Sequence, residues 1–166
     1  MLARKNEYFR GSRVLLKRIL LVLLLLSVAG GALAEGFTLT DTKGKVHTLA
    51  GYKGKWVLVN FWATWCPPCL EEIPDLNELH DSRKDRDLVV IGIAMDYRSE
   101  KQVKDFADSM FISYPIVLGD AKTVAQIGQV PGLPTTYLYN PQGKLKAYNV
   151  GALTKKAVES YIASKK

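Results

Sequence analysis

Two cysteines and two histidines are all the thiol and imidazole groups in this 166-residue chain. A disulfide-rich scaffold is excluded, and at most one four-ligand metal site could be assembled. Internal repeats, low-complexity tracts and interdomain linkers are also missing. With 48% hydrophobic residues the chain is neither collagen-like nor wholly disordered. The formal net charge of +7 would ordinarily raise nucleic acid or an anionic surface as a partner. Its distribution argues otherwise. Six positive charges (Arg4, Lys5, Arg10, Arg13, Lys17, Arg18) and a single negative one, Glu7, fall in the first 34 residues, whereas the remainder carries 17 positives against 15 negatives. The basic character belongs to the leader, and no nucleic-acid partner is expected.

After the basic head, the sixteen residues Ile19 to Ala34 carry no charge, are rich in leucine and end in Ala32-Leu33-Ala34. That order reads as a secretory signal peptide over residues 1–34, cleaved after Ala34. As a helix the run would reach about 24 Å, short of the roughly 30 Å hydrocarbon core of a bilayer. Retention as an uncleaved anchor is the other reading. In both cases positive charge stays inside, so the domain 35–166 is expected in the periplasm, free or tethered to the inner membrane. Its cysteines would then work where disulfides persist.

Residues 35–166 suffice for one domain. Phe37 to Leu39 and Val46 to Leu49 read as a hairpin around Thr42-Lys43-Gly44-Lys45. Trp56 to Trp62 and Leu88 to Met95 are apolar and β-prone, as strands buried on both faces require. A helix is expected from Pro67 to about Ser82, and another from the cap Ser99 to about Met110. Tyr114 to Leu118 is a short strand and Ala121 to Ile127 a short helix stopped by Gly128. Thr135 to Tyr139 and Leu145 to Asn149 flank the turn Asn140-Pro141-Gln142-Gly143. Thr154 starts the last helix, which should pack Ala157, Val158, Tyr161 and Ile162. This order predicts an α/β fold: a mixed sheet with helices on both faces and an N-terminal β-hairpin.

The chemistry concentrates at Trp65-Cys66-Pro67-Pro68-Cys69, between a buried strand and the helix it opens. A thiolate there meets the positive end of the helix dipole, which lowers its pKa. Pro67 and Pro68 lack the N–H groups that a helix start leaves unpaired, so the Cys69 amide and thiol are the nearest expected partners of the Cys66 sulfur. Cys66, at the helix mouth, is the expected attacking thiol, and Cys69, one turn in, the resolving one. Two other readings are weaker. A structural disulfide closing four residues removes little chain entropy. A zinc site would need His47 and His80, both remote in sequence.

These residues carry a family resemblance. Val59-Asn60-Phe61-Trp62-Ala63-Thr64-Trp65-Cys66-Pro67-Pro68-Cys69, with Gly132-Leu133-Pro134-Thr135-Thr136 downstream, resembles the thioredoxin superfamily. More narrowly, it is similar to the TlpA/ResA-like branch of exported bacterial thiol-disulfide oxidoreductases. The resemblance runs from about Phe37 to the C-terminus. It implies a thioredoxin fold in which Pro134 is cis and faces the dithiol, and in which the Leu133 backbone binds an extended substrate segment. Without the resemblance, Pro134 would read as a strand-entry proline.

One departure bears on the chemistry. Cytoplasmic thioredoxins place a buried Asp where Asn60 stands, and Asn60 cannot take up the proton of the second cysteine. Cys69, Glu72, Ile73, Leu76 and Leu79 follow helical spacing, which puts the Glu72 carboxylate on a core-facing stripe. The branch that the chain resembles has an acid in this place, followed by a proline matching Pro74. Glu72 is therefore the expected proton acceptor; the plainer reading is a first-turn acid favoured by the helix dipole, as for Glu71. Trp62 and Trp65 are expected beside the dithiol, Trp65 as an apolar contact surface for substrate and Trp62 with a core role open as well.

Other classes fit less well. A peroxidase motif P-x-x-x-[ST]-x-x-C is absent, because Val59 and Ala63 occupy its first and fifth places. A copper-delivery module remains conceivable, since paired thiolates are soft ligands. The expected activity is thiol-disulfide exchange with protein disulfide and thiol substrates, without a metal or other cofactor. The resemblance suggests apocytochrome c or a copper-site assembly protein as substrate and a DsbD-type membrane thiol donor, and a monomer is expected.

Overall fold

A computed structural model describes residues 36–165; the expected signal peptide lies outside the described residues. The apolar run Trp56–Trp62 forms β3, and Leu88–Ala94 forms β4, with every residue of both strands buried. They pair in parallel and in register from Trp56 with Leu88 to Trp62 with Ala94. Strand β6 (Thr135–Tyr139) runs antiparallel on the other side of β3, β7 (Leu145–Val150) closes that edge, and β5 (Ile116–Leu118) forms the opposite edge. The sheet order is β5-β4-β3-β6-β7. Strands β1 (Thr38–Thr40) and β2 (Val46–Thr48) make the separate hairpin, joined to β5 by a bridge between Asp41 and Val117.

Residue alternation divides the core. Val57, Val59 and Phe61 point to one face with Phe37 and Leu39 of the hairpin and Ile127 of helix α3 (Ala121–Ile127). Leu58 points to the other, toward Leu76 and Leu79 of α1 (Pro67–Arg83) and Val158 and Ile162 of α4 (Lys155–Ala163). Trp62, also on this second face, packs with Val103 and Phe106 of α2 (Glu100–Ser109). Each buried aliphatic side chain of this kind contributes about 1.5–3 kcal/mol relative to exposure. The fold is thus the expected mixed sheet with helices on both faces and an N-terminal hairpin.

Local signals read from the chain appear where they were expected. Ser99 and Thr154 each accept a hydrogen bond from the backbone N–H three residues on, both at 3.2 Å; Asp120, which the sequence reading did not single out, caps α3 in the same way at 2.7 Å. Some details differ. Strand β5 begins at Ile116 instead of Tyr114, since Pro115 has no N–H to contribute to a ladder. Strand β4 ends at Ala94, although the Met95 N–H still bonds the Trp62 carbonyl at 2.8 Å. Ala157 is exposed; the buried stripe of α4 is narrower than expected and rests on Val158 and Ile162.

Candidate active site

The end of β3 delivers Ala63 to Cys66 to the start of α1, where Cys66 is the N-cap residue in an extended conformation and the two prolines fill the first helical positions. Cys66 and Cys69 form a disulfide with Cα atoms 5.3 Å apart. The Cys69 N–H donates to the Cys66 carbonyl oxygen at 3.0 Å, so it serves the helix start, which corrects the expectation that this amide partners the Cys66 sulfur. Cys66 keeps 3% of its surface and Cys69 none, which orders the pair from outside inward.

Trp65 is 60% exposed beside the pair, its indole N–H donating to the Asp96 carbonyl oxygen at 3.4 Å. Asp96 adopts the left-handed region (φ 48°), tolerable for Asp and suited to the turn leaving β4. Trp62, by contrast, is buried against Phe106 at 5.6 Å between ring centroids, in the cluster that contains both cysteines. It fills the core and touches the dithiol region at once. A groove of about 530 Å³ runs past Trp65, Cys66, Pro67, Met95, Gly132 and Leu133.

The far wall of this groove is the loop before β6. The Leu133–Pro134 peptide bond is cis, and the Pro134 carbonyl accepts the Gly151 N–H at 2.8 Å. No backbone hydrogen bond engages Leu133 among the described residues. Its N–H and carbonyl, half-buried at the groove, can pair with an extended chain.

Glu72 lies one helical turn beyond Cys69 and is 2% exposed. Asn60 Nδ2 donates to its Oε1 at 2.7 Å and the Leu153 N–H to its Oε2 at 2.8 Å. Asn60 also donates to Thr136 Oγ1 at 3.0 Å, so three strands and loops meet at one carboxyl group. Burial pushes the Glu72 pKa up to about 7, against the opposing effect of the Leu153 and Asn60 hydrogen bonds. Neighbouring Glu71 is exposed. Asn60, noted in the sequence as a departure, emerges as a hydrogen-bond donor to the Glu72 carboxyl. The register that sets Thr136 opposite Asn60, and the loop that brings Leu153 to Glu72, were not readable from spacing.

The two histidines are elsewhere. His47 binds Asp41 Oδ2 through Nε2 at 2.9 Å and the Tyr52 hydroxyl through Nδ1, tying the hairpin together. His80 Nδ1 accepts the Val90 N–H at 3.1 Å, and burial first, with Lys84 beside it, lowers its pKa to about 4. Among the described residues no group of three or more His, Cys, Asp or Glu side chains is arranged to hold a metal ion. No helix among them is long and apolar enough to cross a membrane.

Residues 31–148 match the model of the AhpC/TSA family. The chain is 36% identical over 138 residues to the thiol-disulfide oxidoreductase ResA of Geobacillus kaustophilus strain HTA426, covering 83% of this chain and 79% of that protein. Among solved structures it resembles a thioredoxin-family thiol:disulfide interchange protein from Chlorobium tepidum TLS, with a TM-score of 0.71 and 28% identity over 78% of this chain and 92% of that one. It is also similar to the exposed lipoprotein thioredoxin Etrx1 of Streptococcus pneumoniae strain TIGR4, with a TM-score of 0.67 and 28% identity over 78% and 98% of the two chains.

Proposed function

The chain belongs to the thioredoxin-like AhpC/TSA family and is a thiol-disulfide oxidoreductase, and from that premise we propose that it reduces disulfides of specific partner proteins outside the cytoplasm. The observation that carries this reading is a buried carboxyl group, Glu72, poised to ionise near neutral pH one turn beyond the inner cysteine. Peroxide chemistry lacks its residues here, with Val59 and Ala63 at the places of the peroxidatic proline and hydroxyl.

In this reading Cys66 thiolate attacks a substrate disulfide, forming a mixed disulfide and releasing the first substrate thiolate. Cys69 then gives its proton to Glu72 and attacks the Cys66 sulfur, releasing the second thiolate. Two electrons pass from the dithiol to the substrate, and the Cys66–Cys69 disulfide remains. Trp65 offers the exposed apolar contact, while Leu133 and cis-Pro134 hold the extended segment that carries the substrate cysteine. A DsbD-type membrane thiol donor would restore the dithiol, and apocytochrome c or a copper-site assembly protein are the substrates that the family resemblance suggests. The basic leader and its Ala32-Leu33-Ala34 end support export, as does the likeness to an exposed lipoprotein thioredoxin.

The test compares Glu72→Gln with Glu71→Gln in stopped-flow turnover between about pH 5 and 9. Loss of a general base should slow resolution of the mixed disulfide by roughly 10²-fold or more, while the exposed Glu71 should matter little. Equal rates for Glu72→Gln and wild type at every pH would reduce Glu72 to a helix-start acid.

A further inference from the structure

Two buried polar atoms on the Glu72 side of the sheet have no hydrogen-bond partner among the described residues: Trp62 Nε1 and the Tyr114 hydroxyl. They lie together. Gly92 pairs with Asn60 across β3 and β4, and a Cβ built on Gly92 would stand 2.9 Å from Trp62 Nε1 and 2.8 Å from Tyr114 Cε2. Glycine at this position therefore lets an indole N–H and the edge of a phenol ring close over the residue that faces Asn60, whose amide holds Glu72. A buried hydroxyl and a buried indole N–H in one place, both unengaged, call for a common partner.

Neutral Glu72 poses the complementary problem. Its two oxygens already receive N–H groups from Asn60 and Leu153, and a carboxyl that takes up a proton gains an O–H that needs an acceptor. The Leu153 amide and the Trp62 indole can only donate, and Thr136 Oγ1 is engaged by the Asn60 amide and makes no hydrogen bond to Glu72 among the described residues. The Tyr114 oxygen has its lone pairs free. An internal water usually makes about three hydrogen bonds, and a carboxyl, a phenol and an indole N–H supply three.

We propose that Tyr114 is a positioning residue for the proton of Glu72: with Trp62 Nε1 it holds one internal water that accepts the hydrogen bond of the neutral carboxyl. The proton taken from Cys69 then rests in a prepared site while the thiolate attacks. This rests on the reading of Glu72 as proton acceptor. Glu72 accepts from Asn60 on β3 and from the Leu153 N–H ahead of α4, stands one helical turn from Cys69 on α1, has Thr136 of β6 behind Asn60, and acts electrostatically on Tyr114 ahead of β5. Of these, Cys69 and Tyr114 titrate. Burial, and then the Glu72 carboxylate, raise the Tyr114 pKa above its ordinary value, which keeps the hydroxyl protonated throughout the working range. His80, edge-on to the Tyr114 ring at 6.3 Å between centroids, is neutral above about pH 5, because its pKa is lowered to about 4.

The experiment is a ¹³C-carboxyl NMR titration of Glu72 in the oxidised full chain, where neither cysteine titrates, for wild type, Tyr114→Phe and Trp62→Phe. Losing a hydrogen bond to the neutral acid should lower the midpoint by about half to one pH unit in Tyr114→Phe, with a smaller shift in Trp62→Phe. An unchanged midpoint in folded Tyr114→Phe would overturn the proposal. Should that variant not fold, Trp62→Phe decides: a lowered midpoint supports the water, and an unchanged one overturns it. Because the titration involves no turnover, it separates from the kinetic test. A shifted midpoint with full Glu72→Gln activity would keep the coupling and remove the base role, and an unmoved midpoint with slow Glu72→Gln would do the reverse.

Discussion

Asn60 donates its side-chain amide to Glu72 at 2.7 Å, so the central strand of the sheet holds the carboxyl group carried by the helix that the dithiol opens. The same amide reaches Thr136, two residues beyond cis-Pro134. The wall proposed to bind substrate and the group proposed to take the proton therefore share one side chain as their support.

Removing that support should be visible in pH. The Asn60 amide stabilises the ionised form of Glu72, so Asn60→Ala should raise the Glu72 pKa further above 7, by about one unit for one lost hydrogen bond to a charged group. The pH at which resolution reaches half its maximum rate should move upward by the same amount. An optimum that stays in place while the rate falls would show that Asn60 only packs.

The order of attack follows from burial. Cys66 keeps a little surface at the helix mouth and Cys69 keeps none, so Cys69→Ser should trap mixed disulfides through Cys66, whereas Cys66→Ser should trap few. In the reduced wild type, mass spectrometry after brief alkylation at neutral pH should find Cys66 modified first. Faster modification of Cys69 would reverse the assignment.

What could be read from the chain, and what could not, divides by range. Strands β3 and β4, the four helices, the caps at Ser99 and Thr154 and the dithiol at a helix start are written in local pattern, because apolar runs, Ser and Thr caps and Pro at the first turn each act within a few residues. Glu72 was legible for the same reason, as a carboxylate on an apolar stripe. Its partners were not. Thr136 reaches Asn60 only through the antiparallel register of β6 on β3, and Leu153 is 81 residues away in sequence. The buried histidines escaped for the complementary reason: His47 is satisfied by Asp41 and Tyr52, and His80 by a strand amide, and neither pairing leaves a periodic signature.

Export makes a simple prediction. If residues 1–34 are a cleaved signal peptide, intact-mass measurement of protein from the periplasm should give a chain beginning at Glu35. A full-length mass in the membrane fraction would mean an anchor, and Met1 retained in a soluble cytoplasmic pool would contradict export.

Two buried titratable side chains of α1, Glu72 and His80, should act on stability in opposite directions. Glu72 has its pKa raised from 4.5 to about 7, so the folded state holds its proton more tightly than the unfolded chain. Its contribution is complete below about pH 4.5 and is lost as pH rises through 7. His80 has its pKa lowered from 6.5 to about 4, so the unfolded chain binds that proton more tightly. Its contribution is complete above about pH 6.5 and is lost as pH falls through 4, where protonation also ends the bond from the Val90 amide to Nδ1. Each effect amounts to about 3 kcal/mol at most, from a difference of about 2.5 in pKa at 1.36 kcal/mol for each unit. Urea unfolding of the oxidised protein should therefore show Glu72→Gln gaining on wild type between about pH 5 and 8.5. His80→Asn, which keeps an acceptor for the strand amide but cannot take a proton, should gain on wild type only below about pH 6. Parallel stability curves for Glu72→Gln and wild type across this range would mean that Glu72 ionises as freely in the fold as in the unfolded chain, and the proton role proposed for it would lose its physical basis.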